Sequence, residues 1–342
     1  MKSNKKFWIL IAVAPVFIAV ISAFLLFYFS FYVPTGELAE PVVVMIEKGD
    51  TLSGVAGDLK GLGAIKNEEV FITTARIIGV QKRIRAGEYE ITPDMSPKDI
   101  LVLLLRGKVI EYTVIIPEGY NIYQVSKLLS EKGLVDEGVF LELLNDVNFI
   151  ASFGIDAEIL EGFLFPDTYN FNRGMSEKDI IRLMVDRHFS VFDEEKNGVT
   201  GEVESADLSD YELLILASII EKEAKADDER PLVSAVFFNR LEKGMKLDSC
   251  ATVIYGIWDR FDGNLTKADL ETYSEYNTYI IAGLPPSPIC NPGRAAIRAA
   301  LSPVDVDYLY FVSKNDGTHH FSSTLAEHNR AVYKYQKLRI YR

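Results

Sequence analysis

The chain has 342 residues, with 36 lysines and arginines against 49 aspartates and glutamates, a formal net charge of −13. An acid excess of that size repels polyanions, which argues against nucleic acid as a partner and against electrostatic docking on anionic lipid; an uncharged glycan is indifferent to it. Two cysteines, Cys250 and Cys290, are too few for a disulfide scaffold, and a chain of this length needs none to fold, so their pairing stays open.

Phe7 to Val33 is an unbroken apolar and aromatic run without a charge, long enough to cross a hydrocarbon core of roughly 30 Å as a helix. Lys2, Lys5 and Lys6 precede it and no basic residue follows closely. The positive-inside bias therefore puts the N-terminus in the cytoplasm and everything after Val33 outside. A cleaved signal peptide is the competing reading, but the run exceeds a typical h-region of ~7–15 residues and no A-x-A-like site follows. Residues 1–33 are thus expected to be a cytoplasmic tail and single-pass anchor. Removing their three lysines from the net charge of −13 leaves −16 on the outer part.

After a polar spacer, Pro34 to Pro41, the β-branched stretch Val42 to Ile46 predicts a strand ending at Gly49. A helical pattern through Leu52, Val55 and Leu59 follows, then a second helix from Glu68 to Ile78 and a third from Pro97 to Leu105. Seventy residues on, the order recurs: Ile46, Gly49, Leu52, Val55, Leu59, Gly63 and Ile65 fall opposite Ile116, Gly119, Ile122, Val125, Leu129, Gly133 and Val135. With ten residues inserted, Tyr89 and Met95 to Ile100 then match Tyr169 and Met175 to Ile180, which marks an internal repeat. Each repeat couples a strand, a Gly turn and short helices, a layout similar to small glycan-binding modules such as LysM. Phe192 to Asp210 is acidic and polar and reads as a loop or linker.

Ser209-Asp210-Tyr211-Glu212 has the form of a capping box, so a helix is expected from Asp210 through Leu213 to Ile220 and on to Glu221 and Glu223. At roughly 100° per residue, Glu223 falls among Leu216, Ile219 and Ile220, in the apolar arc. Glu221 leaves beside Ser218 and Lys222 on the expected solvent flank, as an ordinary surface charge. A carboxyl set among aliphatic side chains loses hydration, which raises its pKa as a general acid near neutral pH requires. Glu223 is the candidate acid; the alternative is a half-exposed glutamate paired with Lys222, Lys225 or Arg230.

Arg230-Pro231 opens a further helix that ends at Gly244. The segments from Leu247 to Gly256, Tyr276 to Tyr279 and Gly283 to Gly293 read as fixed loops rich in Asn, Thr, Tyr and Pro. Amides and hydroxyls suit N-acetyl and hydroxyl groups, and tyrosine rings suit the apolar face of a pyranose. Asn239 on the preceding helix, with Tyr255, Asn277, Tyr279 and Asn291 in these segments, are the candidate substrate contacts, although Asn and Tyr in such loops are more often turn formers. A strand Tyr308 to Ser313 and an Asn315-Asp316-Gly317 turn follow, and Thr324 to Glu327 has capping-box form. His319, His320 and His328 lack a metal-binding spacing, so no metal and no cofactor is expected.

The string Ala217-Ser218-Ile219-Ile220-Glu221-Lys222-Glu223, with Val236 to Leu241, Thr252 to Gly256, Tyr276 to Tyr279 and Gly283-Leu284-Pro285-Pro286, closely resembles the endolytic murein transglycosylases, the YceG-like family. Phe165-Pro166-Asp167-Thr168-Tyr169 upstream and Tyr308 to Val312 with His320-Phe321 downstream extend the likeness over nearly all of the part after the anchor. The resemblance implies that Glu223 is the catalytic carboxylate. It also implies a LysM-like module near residues 42–110, peptidoglycan glycan strands as substrate, and association with penicillin-binding synthases. Where many members read Asp-Pro, this chain has Cys250-Ala251, so no acidic group is given a role there. The expected architecture is α+β: an N-terminal transmembrane helix, a LysM-like α+β module at 42–110, a second repeat-like subdomain with its linker at 111–200, and a mixed α/β catalytic domain at 201–342.

Overall fold

The computed structural model describes residues 5–80, 83–199 and 208–337. In chain order the elements are α1 (Lys5–Phe31), β1 (Val42–Ile46), α2 (Leu52–Gly61), α3 (Glu68–Ile77), β2 (Gly87–Ile91), α4 (Pro97–Arg106), β3 (Tyr112–Ile115), α5 (Ile122–Glu131), α6 (Glu137–Leu144), α7 (Val147–Ala151), β4 (Thr168–Phe171) and α8 (Glu177–Gly198). They continue with α9 (Asp210–Glu223), α10 (Arg230–Glu242), α11 (Cys250–Gly256), α12 (Lys267–Glu271), α13 (Arg294–Leu301), β5 (Tyr310–Ser313), β6 (His319–Ser322) and α14 (Leu325–Val332). The fold is α+β, with three two-stranded sheets, β1-β2, β3-β4 and β5-β6. The 27 residues of α1 span about 40 Å at 1.5 Å each, and its apolar side chains from Val13 to Phe29 are uncovered by protein. It is long and apolar enough to cross a membrane.

The chain forms two compact units. The first holds residues up to Tyr112 together with Asn170–Ser176. In it β1 and β2 run antiparallel, with Val42 opposite Ile91 and Ile46 opposite Gly87. Alternation along the pleat sends Val44, Ile46, Tyr89 and Ile91 to one face, where Val55, Leu59, Phe71, Ile100 and Leu104 cover them. A Cβ on Gly174 would lie 2.4 Å from the Gly87 backbone nitrogen, so two backbones meet where no side chain fits.

The strand–helix–helix–strand–helix order of β1 to α4 recurs from β3 to α8, with α7 inserted. Equivalent positions pack alike: Ile46 and Ile116, Val55 and Val125, and Leu59 and Leu129 are all buried. Tyr89 donates its hydroxyl to the Arg85 carbonyl and Tyr169 donates to the Phe165 carbonyl, the same step of four residues in each copy.

The second unit comprises Thr113–Tyr169 and Glu177–Arg342. At its centre lies α9, whose residues Leu213 to Ile220 are all buried, packed by Val233 and Phe237 of α10 and by Ala296, Ile297 and Ala300 of α13. Its start is fixed by the expected capping box between Ser209 and Glu212. The expected separation of 111–200 from 201–342 does not hold as packing, because Val191 and Phe192 of α8 belong to the same core as α9. Two local expectations also change. Phe192 to Gly198 continues α8, where Glu195 receives Arg294 and Arg298, so the polar segment read as a loop is helical as far as Gly198. Residues 250–256, read as loop, form α11.

Candidate active site

Glu223 is the last residue of α9, and the chain turns extended at Ala224. The carboxyl therefore stands at a helix end, half-buried, rather than along a helix flank. Its Oε1 accepts the Ser249 hydroxyl at 2.5 Å. Ser249 is the N-cap of α11, yet its side chain makes no capping bond, because that hydroxyl is turned to Glu223. The Ser249 amide donates to Thr278 Oγ1 at 3.0 Å, and Thr252 Oγ1 meets Thr278 Oγ1 at 2.8 Å, so the serine is held in a buried hydroxyl cluster. Burial pushes the Glu223 carboxyl above the usual carboxylate range, while the Ser249 hydroxyl, nearby His319 and the Ala251 amide oppose this in smaller measure. The net result is a carboxyl that holds its proton to higher pH than a surface glutamate.

Glu223 lines two cavities, one of about 220 Å³ and one of about 700 Å³, with Cys250 also on both. The smaller is walled by Gly119, Gln124, Lys222, Tyr255 and Trp258, the larger by Asp248, Tyr279, Tyr310, His319 and residues of α14. His319 is steadied from behind: its Nδ1 meets Glu229 Oε2 at 2.7 Å and its backbone N–H donates to Oε1 of the same carboxylate at 2.8 Å. Arg240 sets the floor of the larger cavity, donating to the Leu309, Lys246 and Leu247 carbonyls and to Asp248.

Of the five expected substrate contacts, the structure brings Tyr255 and Tyr279 to the cavities. The three asparagines it assigns elsewhere. Asn239 donates to the carbonyls of Val306 and Tyr308, and Asn277 to those of Leu270 and Thr272. Asn291 accepts the Leu164 amide and donates to the Tyr120 carbonyl. From helix α10 in the case of Asn239, and from buried loops in the case of Asn277 and Asn291, these amides satisfy backbone carbonyls and amides.

Glu221 is not a surface charge: its side chain is 7% exposed, bonded to Arg230 at 3.2 Å and to the Gly293 amide at 2.9 Å. Ser218, expected on the same solvent flank, is fully buried and accepts the Ile289 amide. Lys222 pairs with neither glutamate but donates to the Gly119 carbonyl at 3.0 Å. Cys250 and Cys290 are separate free thiols, the first against the Tyr279 hydroxyl at 3.1 Å, the second buried on the Ser218 carbonyl.

Glu161 was invisible to sequence reasoning. It is fully buried, accepts the Ile122 amide at 3.1 Å and the Tyr255 hydroxyl, and burial raises its pKa to about 8. Among the described residues no group of three His, Cys, Asp or Glu side chains is placed to hold a metal ion.

The class is thereby defined: an α+β chain with a membrane-length N-terminal helix and one desolvated glutamate where two cavities meet. Comparison with known proteins carries this further. The YceG-like family model matches residues 44–334. An endolytic murein transglycosylase of Bacillus subtilis is 33% identical over 310 residues, 86% of this chain and 84% of that protein. A protein of the same name from Streptococcus pneumoniae is 28% identical over 85% of this chain, which spans 58% of that relative's length. A crystal structure of a yceG-like protein from Listeria monocytogenes superposes with a TM-score of 0.58 at 32% identity, covering 85% of this chain and 99% of its own. The chain belongs to the YceG-like family.

Proposed function

We propose that the protein is a membrane-anchored endolytic lytic transglycosylase that cuts MurNAc–GlcNAc bonds in nascent peptidoglycan strands, using Glu223 as its single acid/base. The reading rests on one observation: a proton-retaining carboxyl stands where two cavities meet, so that a chain of sugars can lie on both sides of it. Its curated relatives carry the name endolytic murein transglycosylase. Protonated Glu223 donates to the bridging glycosidic oxygen as the bond to C1 breaks. The oxocarbenium-like centre is then closed by the sugar's own C6 hydroxyl, whose proton returns to Glu223. The products are a free GlcNAc end and a 1,6-anhydro-MurNAc end, and no water is consumed; cutting strands this way would end their elongation.

A hydrolase needs a second carboxylate to act as nucleophile or to activate water. Glu221 is committed to Arg230 and the Gly293 amide, outside both cavities, while Asp248 lines the larger one on Arg240. Product analysis separates the two reactions. Purified glycan digested with wild-type protein should release anhydro ends, one water lighter than hydrolytic ends, and Glu223→Gln should slow release by roughly 10²–10⁴-fold. Release of ordinary reducing ends, or a fully active Glu223→Gln, would overturn the assignment.

In the same reading α1 is the single-pass anchor in the cytoplasmic membrane, with the N-terminus inside and the rest outside. Residues 42–110 serve as a LysM-like module, and penicillin-binding synthases of the wall machinery are the expected neighbours. Co-purification with no synthase would count against that association.

A further inference from the structure

The smaller cavity has a wall that neither the acid chemistry nor the expected contacts account for. Trp258 lines it and stacks on Tyr123, their rings nearly parallel at 13° with centroids 6.2 Å apart. Both are half-buried. Two separate elements deliver them. Tyr123 sits in the first turn of α5, whose capping box pairs Asn121 with Gln124. Trp258 opens the short 3-10 turn that follows α11. That turn closes tightly because Gly256 lets Ser274 and Tyr276 approach: a Cβ there would lie 2.7 Å from the Ser274 hydroxyl.

Helix α11 therefore ties the two ends of the cavity together. Ser249, its N-cap, holds Glu223, and Trp258 stands two residues past its last one, about 14 Å farther along at 1.5 Å per residue. Polar groups line the same cavity. Lys222 spends one of three ammonium protons on the Gly119 carbonyl, and Gln124 spends its Oε1 on the Asn121 amide, so N–H donors of both remain for a ligand.

We propose that this cavity is a subsite for one N-acetylhexosamine ring, with Trp258, backed by Tyr123, taking the apolar face of the pyranose and Lys222 and Gln124 meeting its acetamido and hydroxyl oxygens. The proposal rests on the reading of the site as a glycan cutter. An indole face is the largest flat apolar surface a side chain offers, and a second ring stacked behind it fixes its plane before ligand arrives, so little is lost to ordering on binding.

The chain has two tryptophans, Trp8 in α1 and Trp258, so full-length Trp8→Phe protein in detergent carries a single reporter indole. With Glu223→Gln added to prevent turnover, titration with peptide-free glycan strands should change the Trp258 emission saturably, with a midpoint matching that from calorimetry. Tyr123→Ala should weaken binding about tenfold, and Trp258→Phe should retain most of it. In protein that keeps Glu223, Trp258→Ala should raise KM about tenfold while kcat at saturating glycan is largely preserved, a split that simple loss of folded protein does not produce. Calorimetric binding with no change in Trp258 emission overturns the subsite and leaves the proposed function standing. Absence of binding, together with absence of released ends from the wild type, overturns both.

Discussion

Two opposing influences meet at Glu223. Burial favours its neutral form, whereas the Ser249 hydroxyl at 2.5 Å favours the anion. In the proposed reaction the anion forms when the bridging oxygen takes the proton, so Ser249 would act on the charged half of the cycle. It also fixes which carboxyl oxygen is left for substrate. Ser249→Ala removes the opposing influence, the Glu223 pKa rises further, and the acid stays protonated to higher pH. The alkaline limb of kcat/KM against pH should therefore move up, and kcat should fall about 10- to 150-fold, as expected for one hydrogen bond of about 1.5–3 kcal/mol to a charged group. An unmoved limb would remove Ser249 from the site. At this scale the partial burial of Glu223 was expected from an apolar arc through Leu216, Ile219 and Ile220, but every residue from Leu213 to Ile220 is buried and Glu223 ends the helix, so the helix end and not the arc sets its surroundings. The role of Ser249 was not legible in the sequence, since the contact joins the end of one helix to the cap of another across 26 residues. That Asn277 and Asn291 turn to their own backbone was hidden for a related reason: composition marks a loop as polar, but only the fold says whether its amides face a ligand or its own backbone.

The elements with chemical start signals were readable, the capping boxes at Ser209 and Thr324 among them. Helix α11 was missed because Cys-Ala-Thr-Val-Ile-Tyr-Gly is short and rich in β-branched residues, and its conformation is set by tertiary packing over weak propensity. The buried Glu161 is the tie between such elements: it joins the first amide of α5 to Tyr255 on α11 and lies against Asn291 ahead of α13. Its titration should be visible in stability. An unfolded glutamate titrates near 4.5 and the folded one near 8. Between those values the folded chain holds a proton that the unfolded chain has lost, so unfolding free energy falls as pH rises. The full effect amounts to up to about 5 kcal/mol at 1.36 kcal/mol per pH unit, present below the unfolded value and gone above the folded one. Glu161→Gln cannot ionise, so denaturant melts from pH 5 to 9 should show a shallower decline than the wild type. Equal slopes would mean that Glu161 does not change its proton count on folding.

Across the whole molecule, charge and apolar surface are segregated. Three lysines and the uncovered faces of α1 lie at one end of the chain, and −16 of formal charge is spread over the remainder. Phe17, Val20, Phe24 and Leu26 are largely exposed, and an apolar surface of that extent in water would drive association. In the proposed anchoring a bilayer would remove the conflict: its hydrocarbon would take the helix, and the lysines would hold the N-terminal end on the cytoplasmic side. In that arrangement the acidic remainder would be repelled from anionic headgroups, so the anchoring reading assigns attachment to α1 and leaves the rest to meet a neutral glycan. Two measurements follow from this division. The full chain should stay with membranes through alkaline carbonate and high salt, which strip proteins bound by charge. Protease added to intact spheroplasts should degrade the chain after Val33 while a tag at the N-terminus survives. Release by carbonate, or loss of the tag to external protease, would contradict an anchored enzyme with its acid/base outside the membrane.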